Sequence, residues 1–119
     1  MLFRSSKWGE SNYPNGWFTV QPKPYIEGKN QRSFDVQLNG DYTTHYFTWT
    51  RRAIYFESFH GHYPAGSEPA GNIIQSFTSN SRVSASGVKA HINLWLYQGQ
   101  PPSDGLPVEV VVKSFKYTP

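Results

Sequence analysis

Four residues in the C-terminal part of the chain combine aromatic rings with polar groups at alternate positions. They are His91, Asn93, Trp95 and Tyr97. Alternate residues of a β-strand point to the same side, so a strand here presents all four on one face. Aromatic rings pack on the C–H faces of sugars, and amide and imidazole groups bond to sugar hydroxyls. The pattern predicts a carbohydrate-binding face; the alternative is packing in a protein interface or against a loop.

A second aromatic group lies in the polar, turn-rich N-terminal segment. It consists of Trp8, Tyr13 and Trp17. These rings either form the rim of a sugar cleft or anchor the segment to the core, because large aromatic side chains bury much area. The anchor is the favoured interpretation, and Trp17 is the member that we also expect to assist the sugar-binding face.

Two histidines and several acids could support metal or acid–base chemistry. His60 and His62 flank a glycine, and Glu57 or Glu68 lies close enough in sequence to supply a carboxylate ligand. The same histidines could act as general acid or base beside a carboxylate. Two imidazoles in a loop are a weak signal, so we predict no metal and no other cofactor. Whether His60 and His62 bind a metal stays open.

The other titratable residues have simpler interpretations. His45 is expected to be a hydrogen-bonded, partly buried histidine rather than a catalytic one. Glu57 and Glu109 fall on the polar side of strands and are expected to be solvated. A catalytic pair rebuilt from Asp35, Glu57 or Glu109 would suit glycoside hydrolysis, but nothing in their spacing demands it.

The elements that must position these residues are strands. Nine prolines and ten glycines interrupt the chain throughout, and the apolar residues recur with period two, which is the strand pattern. The predicted strands cover residues 17–21, 32–38, 43–49, 53–59, 72–78, 89–97 and 108–117. Six or seven strands with no substantial helix predict an all-β fold, an antiparallel β-sandwich or barrel.

Composition limits the remaining function classes. A chain of 119 residues suits a single domain over residues 1–119, and an aromatic content of 17% predicts a largely aromatic core. The net charge of +3 is scattered, so we predict no nucleic-acid partner. No apolar run is long enough to span a membrane. Cysteine is absent, which excludes disulfides and thiol catalysis. The N-terminus has no signal-peptide pattern, and the chain as written is expected to be cytoplasmic.

Three segments resemble parts of a known family. Residues 40–49 followed by 53–56 are similar to a His-x-Phe/Tyr-x-Trp strand and the strand after it. Residues 91–96 resemble an Asn-Leu-Trp strand, and residues 108–115 resemble a closing strand. With residues 6–10, their order and spacing resemble the C-terminal half of the concanavalin-like jelly roll of family-16 glycoside hydrolases and their relatives.

The resemblance implies a fold and an ancestral ligand, but not hydrolysis. It implies a partial jelly roll whose Asn-Leu-Trp strand lines a sugar cleft. The family carries its acids as Glu-x-Asp-x-Glu on one strand, the arrangement of a retaining enzyme. In this chain Leu2 stands at the position of the central Asp and Arg4 at that of the acid/base. We therefore expect no catalytic residues of that kind and no hydrolysis.

These observations lead to one expected function and two alternatives. We expect a non-catalytic, lectin-like β-sandwich that binds a β-glucan or galactan type of polysaccharide. The alternatives are an oligomeric structural or interaction protein without a sugar site, and a small glycoside hydrolase with re-sited carboxylates. The resemblance leaves strand edges unpaired, so we expect a homo-oligomer, with rearrangement into a smaller closed sandwich as the alternative.

Overall fold

The structure, a computed structural model, describes residues 2–5, 12–83, 87, 89–102 and 104–119. Contacts between residues divide the chain into two compact units, Met1–Ser86 and Gly87–Pro119. The single domain over residues 1–119 stays a prediction. No helix in the described part of the chain is long and apolar enough to cross a membrane.

The first unit contains two antiparallel sheets of three strands each. The first sheet has the order β1-β2-β3 and joins Leu2–Ser5, Gly16–Thr19 and Gln31–Phe34. The second has the order β4-β5-β6 and joins Thr43–Trp49, Ile54–His60 and Ile73–Ser79. A 3₁₀ turn, Ala70–Asn72, leads into β6. The regular structure described is therefore almost entirely β, and the predicted all-β class is confirmed.

Hairpin geometry fixes the second sheet locally. The turn between β4 and β5 closes through a bond from Thr50 N to Ala53 O at 2.9 Å. The Thr50 hydroxyl accepts bonds from the backbone amides of Arg52 and Ala53. The resulting register sets Tyr46 opposite Glu57 and Phe47 opposite Phe56. Because cross-strand partners share a face, this register decides which side chains meet on each side of the sheet.

Aromatic rings from both sheets build the core. Phe18 of β2 stacks on Phe56 of β5 with ring centroids 5.1 Å apart. Phe34 approaches Phe18 to 4.7 Å, and Phe77 stacks on Phe56 at 6.3 Å. The Arg32 guanidinium lies over the Phe77 ring at 5.4 Å, a cation–π contact. The aromatic core that the composition predicts is therefore present in the first unit.

Most predicted strands of the first unit are confirmed. Strands occur where residues 17–21, 43–49, 53–59 and 72–78 predict them, within about two residues. The strand expected over residues 32–38 ends at Phe34, before a segment that Asn15 holds through two hydrogen bonds with the Val36 backbone. The strand at Leu2–Ser5 is additional to the seven predicted from alternation.

The two strands predicted in the second unit are wrong for the chain as described. Residues 89–96 and 104–119 contain no strand, and the regular element described in this unit is the 3₁₀ turn Tyr97–Gly99. Alternation shows that a segment suits a strand, but a strand also needs a neighbour for its backbone hydrogen bonds. Neither segment has that neighbour in the described part of the chain.

A test of the core concerns Gly16, over which the Phe34 ring lies. A Cβ atom on Gly16 would stand 2.6 Å from Phe34 Cε2, so Gly16→Ala must displace a core ring. We expect a loss of about 1–3 kcal/mol in the free energy of unfolding, typical of overpacking, measured by urea denaturation.

The matched control is Gly71→Ala, because a Cβ atom on Gly71 meets nothing within 4 Å. We expect a change below about 0.5 kcal/mol there. Equal losses for the two variants would contradict the role assigned to the ring contact.

Candidate functional site

The predicted sugar-binding residues lie in the second unit and are exposed. His91 and Asn93 are exposed, Trp95 is 64% exposed and Tyr97 is 38% exposed. Leu96, between the two aromatics, has an extended backbone with φ −86° and ψ 125°. The Tyr97 hydroxyl accepts a bond from Gln98 Nε2 at 3.4 Å. The four side chains therefore follow one another along an open stretch of chain that ends in the 3₁₀ turn.

Trp17 belongs to the first unit, where it lies in the first sheet. It is 8% exposed and stands in β2 on the side opposite Phe18, since neighbouring strand residues point to opposite faces. Its ring centroid lies 5.8 Å from that of Tyr13, which is half exposed. This packing fits the anchor interpretation of the N-terminal aromatics. Trp8 lies outside the described residues.

A buried carboxyl forms a second candidate site, on the side of the second sheet opposite the aromatic core. Glu57 is 4% exposed, so the expectation that it is solvated is wrong. Tyr46 donates its hydroxyl proton to Glu57 Oε1 at 3.1 Å, and Tyr55 donates to Oε2. The two donors satisfy the carboxyl that burial takes away from water.

A second carboxyl, that of Glu68, reaches the first from the loop after β5. A hydrogen bond between the two carboxyls raises the pKa of Glu57, in addition to the larger effect of burial, while the Tyr55 and Tyr46 hydroxyls lower it. The same bond lowers the pKa of Glu68. Opposite shifts are expected when two close carboxyls share one proton, because both cannot ionise without repulsion. Of the two carboxyls, Glu57 is therefore the one that keeps its proton to the higher pH.

The two tyrosines depend on the same carboxyl. Burial raises the pKa of Tyr46, and the bond to Glu57 raises it further. Burial and the bond to Glu57 likewise raise the pKa of Tyr55. Both phenols are therefore neutral donors at neutral pH. Together Tyr46, Tyr55, Glu57 and Glu68 make a connected cluster, which we call the carboxyl–tyrosine cluster.

The loop that carries Glu68 is held in place at its beginning and its end. Gly61 has φ +86°, a conformation that favours glycine, and its amide bonds to Tyr42 O at 2.8 Å. A Cβ atom there would stand 2.8 Å from the Tyr63 ring, so the absence of a side chain lets this ring fold back. At the other end Asn72 Nδ2 donates to His60 O at 3.1 Å. The loop is thus built to return over β5.

The carboxyl–tyrosine cluster does not have the geometry of a glycoside hydrolase. Retaining and inverting enzymes hold their two carboxyls about 5 to 9.5 Å apart, with room for the sugar or a water between them. Here the two carboxyls are in hydrogen-bond contact and two phenols occupy the oxygens of one of them. The arrangement raises the pKa of Glu57 and brings the Glu68 loop against β5.

The histidines show no metal arrangement. No group of three His, Cys, Asp or Glu side chains that could hold a metal occurs among the described residues. Nδ1 of His60 is buried and has no hydrogen-bond partner among the described residues. His62 is exposed. Metal binding by His60 and His62 stays a question that the sequence raised, and the geometry of the described residues does not support it.

His45 is hydrogen-bonded through both ring nitrogens. Nδ1 lies 2.7 Å from Ser58 Oγ and Nε2 lies 3.0 Å from Thr43 Oγ1. Solvent reaches the outer side of the residue, but desolvation by burial lowers the pKa of His45 to about 4. The ring is therefore neutral at pH 7, with one nitrogen donating and the other accepting. The expected role as a hydrogen-bonded histidine is the one found.

A polar depression lies at the end of β6, beside the connection between β2 and β3. It is open, holds about 260 Å³ and is lined by Gly28, Lys29, Thr78, Asn80 and Ser81. The Ser79 hydroxyl donates to Lys29 O at 2.7 Å and fixes one side of it. The described residues that line the depression include no aromatic ring, so none of them offers a stacking platform for a sugar.

No family model, curated protein or solved structure matches this chain. The similarity to family-16 glycoside hydrolases therefore depends only on the motifs of residues 6–10, 40–49, 53–56, 91–96 and 108–115. Membership of that family stays a prediction.

The carboxyl–tyrosine cluster predicts a pH dependence of stability. A folded pKa of Glu57 above its unfolded value stabilises the protein at acidic pH, and this stabilisation is lost as pH rises through the folded pKa. Glu57→Gln removes that loss because it cannot ionise. We expect the free energy of unfolding of the variant, relative to that of the wild type, to be higher at pH 8 than at pH 5. Urea denaturation of both proteins at the two pH values measures this difference.

Asp41→Asn is the matched control, since Asp41 is an exposed carboxyl in the turn before β4. In this variant the free energy of unfolding should change between pH 5 and pH 8 by the same amount as in the wild type. A Glu57→Gln variant whose stability relative to wild type is the same at both pH values would show that Glu57 does not hold the proton.

Proposed function

We propose that this chain is a non-catalytic carbohydrate-binding β-protein. Its ligand is a β-glucan or galactan type of polysaccharide, and its contact residues are His91, Asn93, Trp95 and Tyr97. Trp95 stacks on the sugar ring, Tyr97 extends that platform, and His91 and Asn93 bond to hydroxyls. Trp17 belongs to the first unit, where it is buried, so the proposal is confined to the four residues of the second unit.

The observation that carries the proposal is the exposure of an indole beside polar side chains. Large aromatic residues are usually among the more buried types, yet Trp95 leaves 64% of its surface exposed. The neighbouring Leu94, Leu96 and Tyr97 are also exposed. Trp95 therefore belongs to a run of exposed apolar side chains rather than standing alone, and such patches mark binding surfaces. A polysaccharide suits such a surface because it offers alternating C–H faces and hydroxyls.

The proposal includes the finer fold. We infer a partial jelly roll of the concanavalin type, with six to seven strands in a sandwich, of which β4 and β5 correspond to the His-x-Phe/Tyr-x-Trp strand and its successor. The antiparallel pairing of Thr43–Trp49 with Ile54–His60 overlaps the two motif segments, residues 40–49 and 53–56, and this overlap supports the assignment.

A second candidate function has its own supporting observation. Ile92, Leu94 and Leu96 occupy the positions between the polar and aromatic residues, and they are 65%, 64% and 52% exposed. An exposed aliphatic row of this kind favours an interaction protein that buries the segment against a partner. The two candidates differ in which row is covered: the aromatic and polar row by sugar, or the aliphatic row by protein.

The test is the binding of a soluble β-glucan and a soluble galactan to the full chain, followed by tryptophan fluorescence and by affinity electrophoresis. We expect one of the two polysaccharides to change the fluorescence of the wild type. Trp95→Ala should weaken that binding at least tenfold, about 1.4 kcal/mol, because it removes the stacking platform.

Leu94→Ala is the matched control, since Leu94 is equally exposed in the same segment but belongs to the aliphatic row. Its affinity should stay within about threefold of the wild type. A wild-type chain that binds neither polysaccharide, or a Trp95→Ala variant with unchanged affinity, overturns the carbohydrate proposal and leaves the interaction protein as the better candidate.

A further inference from the structure

Residues 108–115, the last segment with the sequence pattern of a strand, are rich in exposed β-branched side chains. Val108, Val110, Val111 and Val112 are 51–63% exposed, and Phe115 is 64% exposed. Glu109 and Lys113 are also exposed. The described part of the chain contains no strand partner for this segment. A run of such residues with unpaired backbone groups is a template for pairing with another chain.

The order of the charges makes this segment complementary to itself in one orientation. In an antiparallel pair of two copies centred on Val111, Val111 faces its own counterpart and Val110 faces Val112. Glu109 of each copy then faces Lys113 of the other. Directly opposite residues of opposite charge stabilise a strand pair, and the two-fold symmetry makes this contact occur twice.

Other arrangements lack this match. An in-register parallel pair would place Glu109 opposite Glu109 and Lys113 opposite Lys113, and like charges directly opposite one another are destabilising. Moving the centre of the antiparallel pair by one residue, to Val110 or Val112, sets both charges opposite uncharged residues. The charge pattern therefore selects one orientation and one register.

We propose that residues 108–115 are a dimerisation strand, which pairs antiparallel with the same segment of a second copy about a two-fold axis at Val111. The partner is this same chain, because the complementary sequence is its own. The inference does not rest on carbohydrate binding.

A charge exchange tests the register. The full-length wild type should be a dimer by light scattering at about 100 μM and dissociate on dilution. Glu109→Lys alone, or Lys113→Glu alone, places like charges opposite each other twice and should weaken dimerisation at least tenfold. The double variant restores opposite charges and should dimerise within about threefold of the wild type. Loss in the singles without recovery in the double contradicts the register.

A second measurement uses the absence of cysteine from the chain. Val111→Cys places two thiols opposite each other across the two-fold axis, within the distance that a disulfide requires. Mild oxidation should give a covalent dimer on a non-reducing gel. In Val110→Cys each new thiol faces Val112 of the other copy instead, so this control should cross-link at least tenfold less.

Three outcomes overturn the proposal. The first is a wild type that stays monomeric at every concentration tested. The second is a mass that grows without limit, because a two-fold pair closes after two copies. The third is equal cross-linking of Val111→Cys and Val110→Cys, which would indicate contact without the register. None of these outcomes bears on sugar binding by Trp95, so the two proposals fail separately.

Discussion

The ring contact between Phe18 and Phe56 is the interaction on which the first unit depends. Each sheet has only three strands, and a sheet of that size needs an apolar face to be covered. The stacked pair, 5.1 Å between centroids, joins the middle strand of one sheet to the middle strand of the other. Phe34 and Phe77 extend the contact on either side. With few aliphatic residues available, aromatic stacking supplies most of the core.

The aromatic core covers only one face of the second sheet, so the opposite face must be covered by another part of the chain. This face carries Glu57 and Phe59, both buried, on the same strand as the core residues. A polar loop returns over it and brings Tyr63 and Glu68 to the strand. Two phenol hydroxyls donate to the buried carboxyl of Glu57, and burial together with Glu68 raises its pKa, which favours the neutral form.

The second unit follows a different principle, since its apolar residues are exposed. Two segments there have the alternation of strands, and neither finds a strand neighbour in the described part of the chain. Alternation in such a segment places two chemically different rows side by side: aromatic with polar, and aliphatic. We propose a polysaccharide as the ligand of the first row, and a protein partner is the alternative for the second. A segment of this kind forms a strand only with a neighbour that completes its backbone hydrogen bonds.

The sequence by itself determined the features that depend on neighbours along the chain. The period-two pattern predicted the strand over residues 43–49, and the composition predicted an aromatic core, because both are local or summed properties. The tertiary structure decided the rest. Glu57 occupies a polar position by alternation, and only the tertiary structure buries it and sets Glu68 beside it, which together raise its pKa. Residues 108–115 show the same limit, since a strand exists only where a second strand completes its hydrogen bonds.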